Sequence, residues 1–402
     1  MRTDLTLAEA IDALAALLPE PKITTVRLDD ALGMVLAAPL AARQDHPSLD
    51  DSAMDGFAVR LADTLSATRE EPALLNLVGE SAAGAAFTGA VQAGQAVRVF
   101  TGAAVPVGAD AVIRVEDTHQ EGHVVRVFEP ANAGDIRRRA QDLAAGRVYL
   151  RPGRRLGSAE IALAAAMGHA SLSAFKAPSI HVISSGDELV APGGAPTPGS
   201  VFESNSYGLA ALARRAGWAA ERRPSLADSL DATRVALGAA DGADFIVTSG
   251  GVSMGERDSI RILLEGEGSV AFRRVKIRPG GPVLCGRWRD RLVVGLPGNP
   301  VSALVVFQVL VLPAWWARVG GEGPANLTLP ARAAAHLIGS VGRLTFARVA
   351  LNFEGDELLA SPVSNQSSGV LRSLAESQAL AIIPETGRVE LGGGVKVILP
   401  LR

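Results

Sequence analysis

The chain has 402 residues, of which 48% are hydrophobic, and this length predicts two to four structural units rather than one. The formal net charge of −3 at pH 7 excludes a general attraction to nucleic acid, so an anionic ligand would have to be held by local basic clusters. A single cysteine excludes an intramolecular disulfide, and 6 scattered histidines exclude a Cys/His metal site. We therefore expect a globular, cytoplasmic protein without a signal peptide or a membrane span.

The first half of the chain is predicted to combine two helical regions with a β-rich segment. Thr6 and Glu9 form a capping-box pattern at the start of an amphipathic helix. Residues 23–42 have the pattern of a strand followed by a second short helix, and residues 47–127 consist of short valine-rich runs separated by glycines. Such runs are typical of β-structure. Ser158 can then cap a further helix that ends at Gly168.

The second half is predicted to form an α/β unit followed by a small β-barrel or sandwich. Strands and helices alternate over residues 178–320, which indicates a parallel sheet with crossover helices. Three of these strands end in polar turns rich in glycine or proline, at residues 184–189, 248–258 and 295–303. Ligands of open parallel sheets bind at the carboxyl ends of strands, so we expect these turns to line one crevice.

The turn around Gly250 and Gly251 has the composition of an anion-binding loop. Two adjacent glycines allow consecutive N–H groups to face one oxyanion, and Ser249 and Ser253 add hydroxyl groups. A plain glycine turn between a strand and a helix is the alternative. The turn lacks the Gly-Lys-Ser/Thr sequence of a phosphate-binding loop, which disfavours an ordinary nucleoside triphosphatase.

Two carboxylates at strand ends, Glu188 and Asp258, are the candidate Mg²⁺ ligands, although Asp258 could instead cap a helix that begins at Ser259. A basic run at residues 273–278 would supply positive charge. Lys276 and Arg278 are two residues apart, so on a strand they would share one face and suit phosphate or another tetrahedral oxyanion. An exposed strand face is the alternative interpretation.

Together, in chain order, these segments resemble the molybdopterin molybdenumtransferase family, which includes the E domain of gephyrin. The matching segments cover essentially the whole chain: the Asp-Asp-Ser-Ala-Met-Asp-Gly-Phe-Ala loop at 50–58, Thr101-Gly102-Ala103, Arg137-Arg138-Arg139 with Gln141-Asp142, Ser185-Gly186-Asp187-Glu188-Leu189, the Ser-Gly-Gly-Val-Ser loop at 249–253 with Asp258, Arg278-Pro279-Gly280, the Gly-Leu-Pro-Gly-Asn-Pro-Val-Ser-Ala turn at 295–303, and Gly342-Arg343 with Phe346 and Arg348. One such loop would be weak evidence, whereas the ordered set is strong.

The resemblance implies a multidomain fold and a homodimer. It implies a three-layer α/β molybdopterin-binding domain with a parallel-rich sheet at residues 1–20 and 173–320, and a small linking domain at 21–45 and 141–172. A β-rich domain at 46–140 would close on the partner subunit, and a C-terminal β-barrel domain would occupy 321–402.

The resemblance also implies an activity: molybdenum from molybdate is inserted into adenylylated molybdopterin, with Mg²⁺-dependent release of AMP. Functional positions of the family fall on Asp50, Thr101, Asp142, Glu188, Asp228, Asp258, Pro297, Pro300 and Arg348. Ser249, Gly250, Gly251, Ser253, Lys276 and Arg278 would bind the anionic substrates, and Glu188 and Asp258 would hold Mg²⁺. Molybdopterin adenylyltransferase and proteins that deliver or accept the cofactor would be partners.

This chain departs from the family pattern at two places. The usual Lys-Pro-Gly-Lys-Pro is Arg278-Pro279-Gly280-Gly281-Pro282, so either Lys276 or Arg274 replaces the second lysine or the affinity for substrate is weaker. The usual Gly-Glu-Asp is Ala-Gln-Asp at 140–142. Two other functions remain open at this point: a molybdopterin adenylyltransferase, whose fold resembles the α/β unit, and a gephyrin-like scaffold without catalysis.

Overall fold

The computed structural model describes residues 2–252, 258–323 and 325–400. The chain forms two compact units, each with its own hydrophobic core. The large unit comprises Met1–Ala38, Pro152–Gly157 and Ser173–Arg402, and the small unit comprises Pro39–Arg151 and Ser158–Leu172.

A seven-stranded sheet lies at the centre of the large unit. Its strands are β1 (Arg2–Leu5), β2 (Ser179–Ser184), β3 (Ala219–Arg222), β4 (Phe245–Ser249), β5 (Ser269–Val275), β6 (Leu284–Trp288) and β7 (Arg291–Leu296). They are arranged in the order β1-β5-β6-β7-β4-β2-β3. Only β6 runs antiparallel to its neighbours, so the prediction of a parallel-rich sheet is confirmed.

Helices cover both faces of this sheet because successive strand residues point to opposite sides. Val182, Val247 and Val294 belong to one core cluster, whereas their neighbours Ile183, Ile246 and Val293 belong to another. The helices of the α/β part are Leu7–Leu17, Asn205–Arg215, Leu230–Gly238, Ser259–Glu267, Pro300–Val306 and Leu312–Arg318, with a π-helical turn at Phe307–Val311 joining the last two. Three layers result, as expected.

The continuous helical run Pro300–Arg318 is apolar and mostly internal. The run has 19 residues, and its most apolar window has a mean hydropathy of 1.7, enough by length and composition alone to cross a membrane. However, 67% of its most apolar window is buried inside the protein, where Phe307 and Trp315 pack edge-to-face against Trp218. The run is therefore a core helix of the α/β part.

The C-terminal part of the large unit is a closed five-stranded barrel. Its strands are Thr328–Ala333, Leu344–Glu354, Glu357–Pro362, Ala379–Ile383 and Gly394–Ile398. The ring closes because the long strand Leu344–Glu354 pairs along one part with Glu357–Pro362 and along another with Ala379–Ile383. The predicted C-terminal barrel is thus confirmed. A short helix, Leu371–Glu376, precedes the fourth of these strands.

The small unit is β-rich, as the sequence predicts. Its six-stranded sheet contains Gly56–Val59, Ala73–Ser81, Gln95–Val99, Ala111–Arg114, Thr118–Glu121 and Val124–Val127. Two strand pairs, Asp51–Ser52 with Ile136–Arg137 and Leu40–Ala41 with Val148–Leu150, and the helix Ser158–Ala166 complete it. Other short strands of the chain are Ile23–Arg27, Val35–Leu36, Ser171–Phe175, Leu189–Val190, Val201–Phe202, Ile277–Arg278, Leu337–Ile338 and Arg388–Val389.

The structure confirms two of the predicted helix ends and contradicts one predicted helix. Thr6 and Glu9 form the predicted capping box, and Gly168 takes a positive φ of 88° just after the helix Ser158–Ala166. The second short helix predicted within 23–42 is only the 3₁₀ turn Leu28–Asp30. The chain turns again at Gly33, whose φ is 81°, and this leaves too few residues for an α-helix.

Candidate active site

The three predicted loops meet at one edge of the seven-stranded sheet. β2, β4 and β7 are adjacent and parallel, and chain order reverses between β2 and β4, where open α/β sheets bind ligands. The approach is close enough to require glycine. Gly250 has a φ of 97°, and a Cβ there would lie 2.4 Å from the carbonyl oxygen of Ser185. A Cβ on Gly298 would lie 3.6 Å from the Cα of Gly250.

A cavity of about 1410 Å³ opens over this edge. Its walls come from the loops that follow β2, β4 and β7, from the segment 278–282, and from the C-terminal barrel. The α/β part contributes the carboxylates Glu188, Glu203, Asp228 and Asp258, whereas the segment 278–282 and the barrel contribute guanidinium groups. We call the carboxylate-bearing loops the acidic part of the wall, and the segment 278–282 with the barrel the basic part. The presence of both charges suits an anionic ligand that brings a cation with it.

The acidic part is built around the loop after β2. A Cβ on Gly186 would lie 2.7 Å from Oε2 of Glu188, so this carboxylate folds over the glycine. Asp228 accepts a hydrogen bond of 2.6 Å from the Ser185 hydroxyl. Asp258 directly precedes the helix Ser259–Glu267, but its side chain makes no capping hydrogen bond to that helix. Asp258 therefore both occupies the N-cap position of this helix and lines the cavity.

The oxygen donors in this part of the wall are of the kind that binds Mg²⁺. Carboxylates and a hydroxyl are hard oxygen donors, which Mg²⁺ prefers. Within residues 2–252, 258–323 and 325–400, however, no three His, Cys, Asp or Glu side chains come close enough together to hold a metal ion. Mg²⁺ is commonly held by one or two carboxylates together with water and substrate phosphate, so it does not require a cluster of three side chains.

The basic part differs from the sequence-based expectation. Arg278 lines the cavity and donates a hydrogen bond of 2.8 Å to Ser340. Lys276 and Arg274 are not among the lining residues, and Arg274 instead pairs with Asp4, with Nε 3.4 Å from Oδ1. The expected shared face does not form because β5 ends at Val275, and the next strand, Ile277–Arg278, pairs with the barrel.

Arg343 is the cationic side chain that the structure places beside Gly281. A Cβ on Gly281 would lie 3.9 Å from Nη1 of Arg343. This guanidinium belongs to an exposed residue that lines the cavity. The sequence gives Arg343 as part of a motif but offers no sign of this position, because it depends on how the barrel docks against the segment 278–282.

Arg348 shapes the cavity wall from inside the protein. It is 1% exposed and donates hydrogen bonds to the Ser373 hydroxyl (3.2 Å) and to the carbonyl oxygens of Asn365 (3.3 Å) and Ser367 (3.1 Å). Burial lowers its pKa, and the nearby Arg278 guanidinium lowers it further. Its hydrogen bonds hold the loop 365–369, part of which faces the cavity.

The loops after β4 and β7 are cross-linked by side chains. The Ser249 hydroxyl donates to the carbonyl oxygen of Pro297 at 2.9 Å. The side-chain amide of Asn205 donates both to the Ser249 hydroxyl (2.9 Å) and to the carbonyl oxygen of Gly298 (2.7 Å). The N–H of Gly250 donates to Leu296 at 3.1 Å, so this group is not available to an anion. Asn205 was missed from sequence, although a polar Glu-Ser-Asn before a helical pattern is a recognisable signal.

The remaining residues of this region fall into two groups. Pro300 begins the helix Pro300–Val306, where a missing N–H is harmless, and it lines the cavity together with Pro297, Gly250 and Gly251. Ser253, the remaining predicted ligand of the glycine loop, lies outside the residues that the structure describes.

Asp50, Thr101 and Asp142 lie in the small unit. Asp50 accepts hydrogen bonds from the backbone N–H of Arg139 (2.8 Å) and the guanidinium of Arg138 (2.6 Å), and both lower its pKa. Thr101 donates its N–H (2.7 Å) and its hydroxyl (2.8 Å) to Asp55, whose pKa falls as a result. Asp142 is exposed, and its backbone N–H donates to His46.

Comparisons with known protein families match nearly the entire chain. Residues 5–168 match the MoeA N-terminal region (domains I and II), residues 181–315 match a probable molybdopterin-binding domain, and residues 330–399 match the MoeA C-terminal region (domain IV). A protein named molybdopterin molybdenumtransferase 2 from Mycobacterium tuberculosis is 37% identical over 383 residues, 93% of each chain. The molybdopterin molybdenumtransferase of Bacillus subtilis is 32% identical over 99% of this chain and 94% of its own.

Solved structures give the same result for the fold. One molybdopterin biosynthesis MoeA protein structure from Pyrococcus horikoshii has a TM-score of 0.79 and 30% identity, with 99% of both chains covered. Another has a TM-score of 0.84 and 26% identity, with 98% of this chain and 100% of that chain covered. The match includes the β-rich region and the barrel, not only the α/β part. This chain therefore belongs to the molybdopterin molybdenumtransferase (MoeA) family.

Proposed function

We propose that this member of the family inserts molybdenum from molybdate into adenylylated molybdopterin, releases AMP in a Mg²⁺-dependent step and yields molybdenum cofactor. The observation that carries the proposal is the divided cavity at the carboxyl ends of β2, β4 and β7. Both substrates are anions, since molybdate is a tetrahedral dianion and the adenylylated pterin carries a phosphoanhydride. A cavity with guanidinium groups in one part and carboxylates in another matches that pair of ligands.

Arg278 and Arg343 are proposed to bind the anionic oxygens of the substrates. Both are exposed at the cavity, and arginine presents donors in a planar fork that matches phosphate and other oxyanions. The dithiolene sulfurs that bind molybdenum come from the substrate, so the protein needs no thiol of its own. This agrees with the single cysteine, Cys285, being fully buried in the core.

Glu188 and Asp258 are proposed to hold Mg²⁺, which when bound neutralises charge on the phosphoanhydride. Asp228 acts on the same loop through the Ser185 hydroxyl, which it holds in one orientation. The uncharged residues of the loops after β4 and β7 set the shape of the cavity wall. They are Ser249, Gly250, Pro297 and Pro300.

The roles of Asp50, Thr101 and Asp142 are proposed to depend on a cytoplasmic homodimer. In this proposal the β-rich domain at 46–140 closes on the α/β domain of the partner subunit, as in the four-domain arrangement expected from sequence. This closure would let three positions of the β-rich region complete the partner's cavity. They are the exposed Asp142, the hydrogen-bonded Asp50, and Thr101 with its partner Asp55. The adenylyltransferase that makes the substrate, and proteins that deliver or accept the cofactor, are the proposed partners.

Substitution of the two proposed metal ligands tests this function. We expect Asp258→Asn and Glu188→Gln each to abolish Mg²⁺-dependent AMP release from adenylylated molybdopterin, with unchanged dimerisation. Asp290→Asn, at the exposed turn between β6 and β7, is a matched control and should release AMP at the wild-type rate. Normal turnover by both cavity variants would remove the metal assignment, and absence of turnover in the wild type would favour a non-catalytic scaffold.

A further inference from the structure

The tripeptide Glu203-Ser204-Asn205 lies at the start of the helix Asn205–Arg215 and borders the cavity. The hydrogen bonds of Asn205 do not cap its own helix. They reach the Ser249 hydroxyl, 44 residues away in sequence, and the Gly298 carbonyl, 93 residues away. One side-chain amide thus joins the loop after β4 to the loop after β7.

The other end of the tripeptide holds two further strand ends. The Glu203 carboxylate is 4% exposed and accepts hydrogen bonds from the Ser184 hydroxyl (2.7 Å) and from the N–H (2.7 Å) and hydroxyl (2.6 Å) of Ser206. Ser184 is the last residue of β2. Arg222, the last residue of β3, donates to the Ser206 hydroxyl at 2.8 Å and lies 3.6 Å from Glu203. Among the described residues, the hydrogen bonds and the ion pair of this buried carboxylate thus come from the ends of β2 and β3 and from the start of the helix.

The combined result is a bridge across four neighbouring strands. β3, β2, β4 and β7 are consecutive in the sheet, and beyond their last residues the ladder hydrogen bonds no longer fix the spacing of the loops. Glu203 links the ends of β2 and β3, and Asn205 links the loops after β4 and β7. We propose that Asn205 is a positioning residue for the transferase reaction, which sets the distance between the glycine loop at 249–251 and the turn at 297–300.

The amide group is specific to this role. Its nitrogen supplies two N–H donors to two oxygen acceptors, Ser249 Oγ and Gly298 O. An aspartate has the same shape but no donor, and it would place negative charge against the Gly298 carbonyl. Because substrate groups must be held within about 1 Å of the productive position, a small shift of either loop should reduce substrate binding and turnover by roughly 10- to 100-fold.

Asn205→Asp tests the inference, which rests on the proposed function. The measured quantities are KM for molybdate, kcat and the melting temperature, in the full-length protein with adenylylated molybdopterin and Mg²⁺. We expect KM to rise about 10-fold or more, while the melting temperature changes no more than in the control Asn326→Asp. Asn326 donates a comparable bond, at 3.1 Å to Gln308, away from the cavity. A merely structural role would lower the melting temperature and leave KM unchanged.

Two outcomes separate this inference from the proposed function. A wild-type protein without turnover would contradict the function, whereas wild-type turnover together with a KM for Asn205→Asp within twofold of wild type would overturn the inference. If Asn205→Asp does not fold, Ser249→Ala removes the hydroxyl that joins the same two loops and should also raise KM. In addition, Asn205→Ala and Ser249→Ala should be non-additive, and multiplied losses in the double variant would show that they do not act as one bridge.

Discussion

Gly250 is the position at which the convergence of the strand ends can be tested most sharply. Its φ of 97° belongs to the region that favours glycine, and alanine there costs about 1–2 kcal/mol. The new Cβ would also lie 2.4 Å from the Ser185 carbonyl oxygen, where real contacts stay above 3.0 Å, so that carbonyl must move by about 0.6 Å. Overlap of this kind in a packed site costs about 1–3 kcal/mol. We therefore expect Gly250→Ala to lower the free energy of unfolding by about 2–5 kcal/mol.

Gly193→Ala separates the two contributions. Gly193 has a similar φ of 88°, but no atom lies within 4 Å of the position of its Cβ, so only the conformational cost applies. The assay is urea unfolding followed by tryptophan fluorescence, together with kcat/KM for AMP release. The displaced Ser185 carbonyl should also reduce kcat/KM by roughly 10- to 100-fold in Gly250→Ala only. If Gly250→Ala unfolds with the same midpoint as Gly193→Ala and turns over normally, the close approach of these loops is wrong.

Three other variants or measurements address charge and burial. Arg343→Ala should weaken molybdate-dependent turnover by about 10-fold. Adding Gly281→Lys to this variant should restore part of the turnover, because lysine would return a cation to the same wall. A double variant no more active than Arg343→Ala would show that Arg343 does not bind the anionic substrates there. Burial alone raises the pKa of Glu203, but hydrogen bonds from two serines lower it below its ordinary 4.5. The ionised Glu203 therefore contributes fully to the free energy of unfolding above its unfolded pKa, and this contribution is lost as the pH falls through its lower folded pKa. Glu203→Gln should make the free energy of unfolding depend less on pH on the acid side. An unchanged slope of the free energy of unfolding against pH would contradict this. Burial raises the pKa of Cys285 to about 12, which leaves roughly one thiolate in 10⁴ at pH 8, so a thiol reagent should label it only on unfolding, and fast labelling of the native protein would contradict its burial.

The sheet and the position of the cavity could be predicted because both follow from local patterns. Apolar strands that end in glycine or proline turns identify the carboxyl ends of β2, β4 and β7, and the parallel arrangement then brings those ends to one edge. Glu188 and Asp258 could be placed by the same reasoning. The capping box at Thr6 depends on four consecutive residues, so it too could be predicted from the sequence.

The basic wall could not be predicted, because it depends on contacts between distant segments. Alternation along 273–278 assumed one continuous strand, but Arg274 adopts a φ of 62° and β5 ends at Val275. The strand Ile277–Arg278 then pairs with Leu344 and Thr345 of the barrel. That pairing brings Arg343 beside Gly281, and nothing in either segment alone indicates it. The position of Asn205 could not be predicted for the same reason, because its hydrogen-bond partners lie far away in sequence.

The most direct test of the central claim is AMP release by the wild-type protein incubated with adenylylated molybdopterin, Mg²⁺ and molybdate. A molybdenum-inserting transferase should release AMP only when molybdate is present at micromolar levels, and omission of Mg²⁺ should stop the release. The product should carry molybdenum on the dithiolene. No release under these conditions, or release at the same rate without molybdate, would contradict the account.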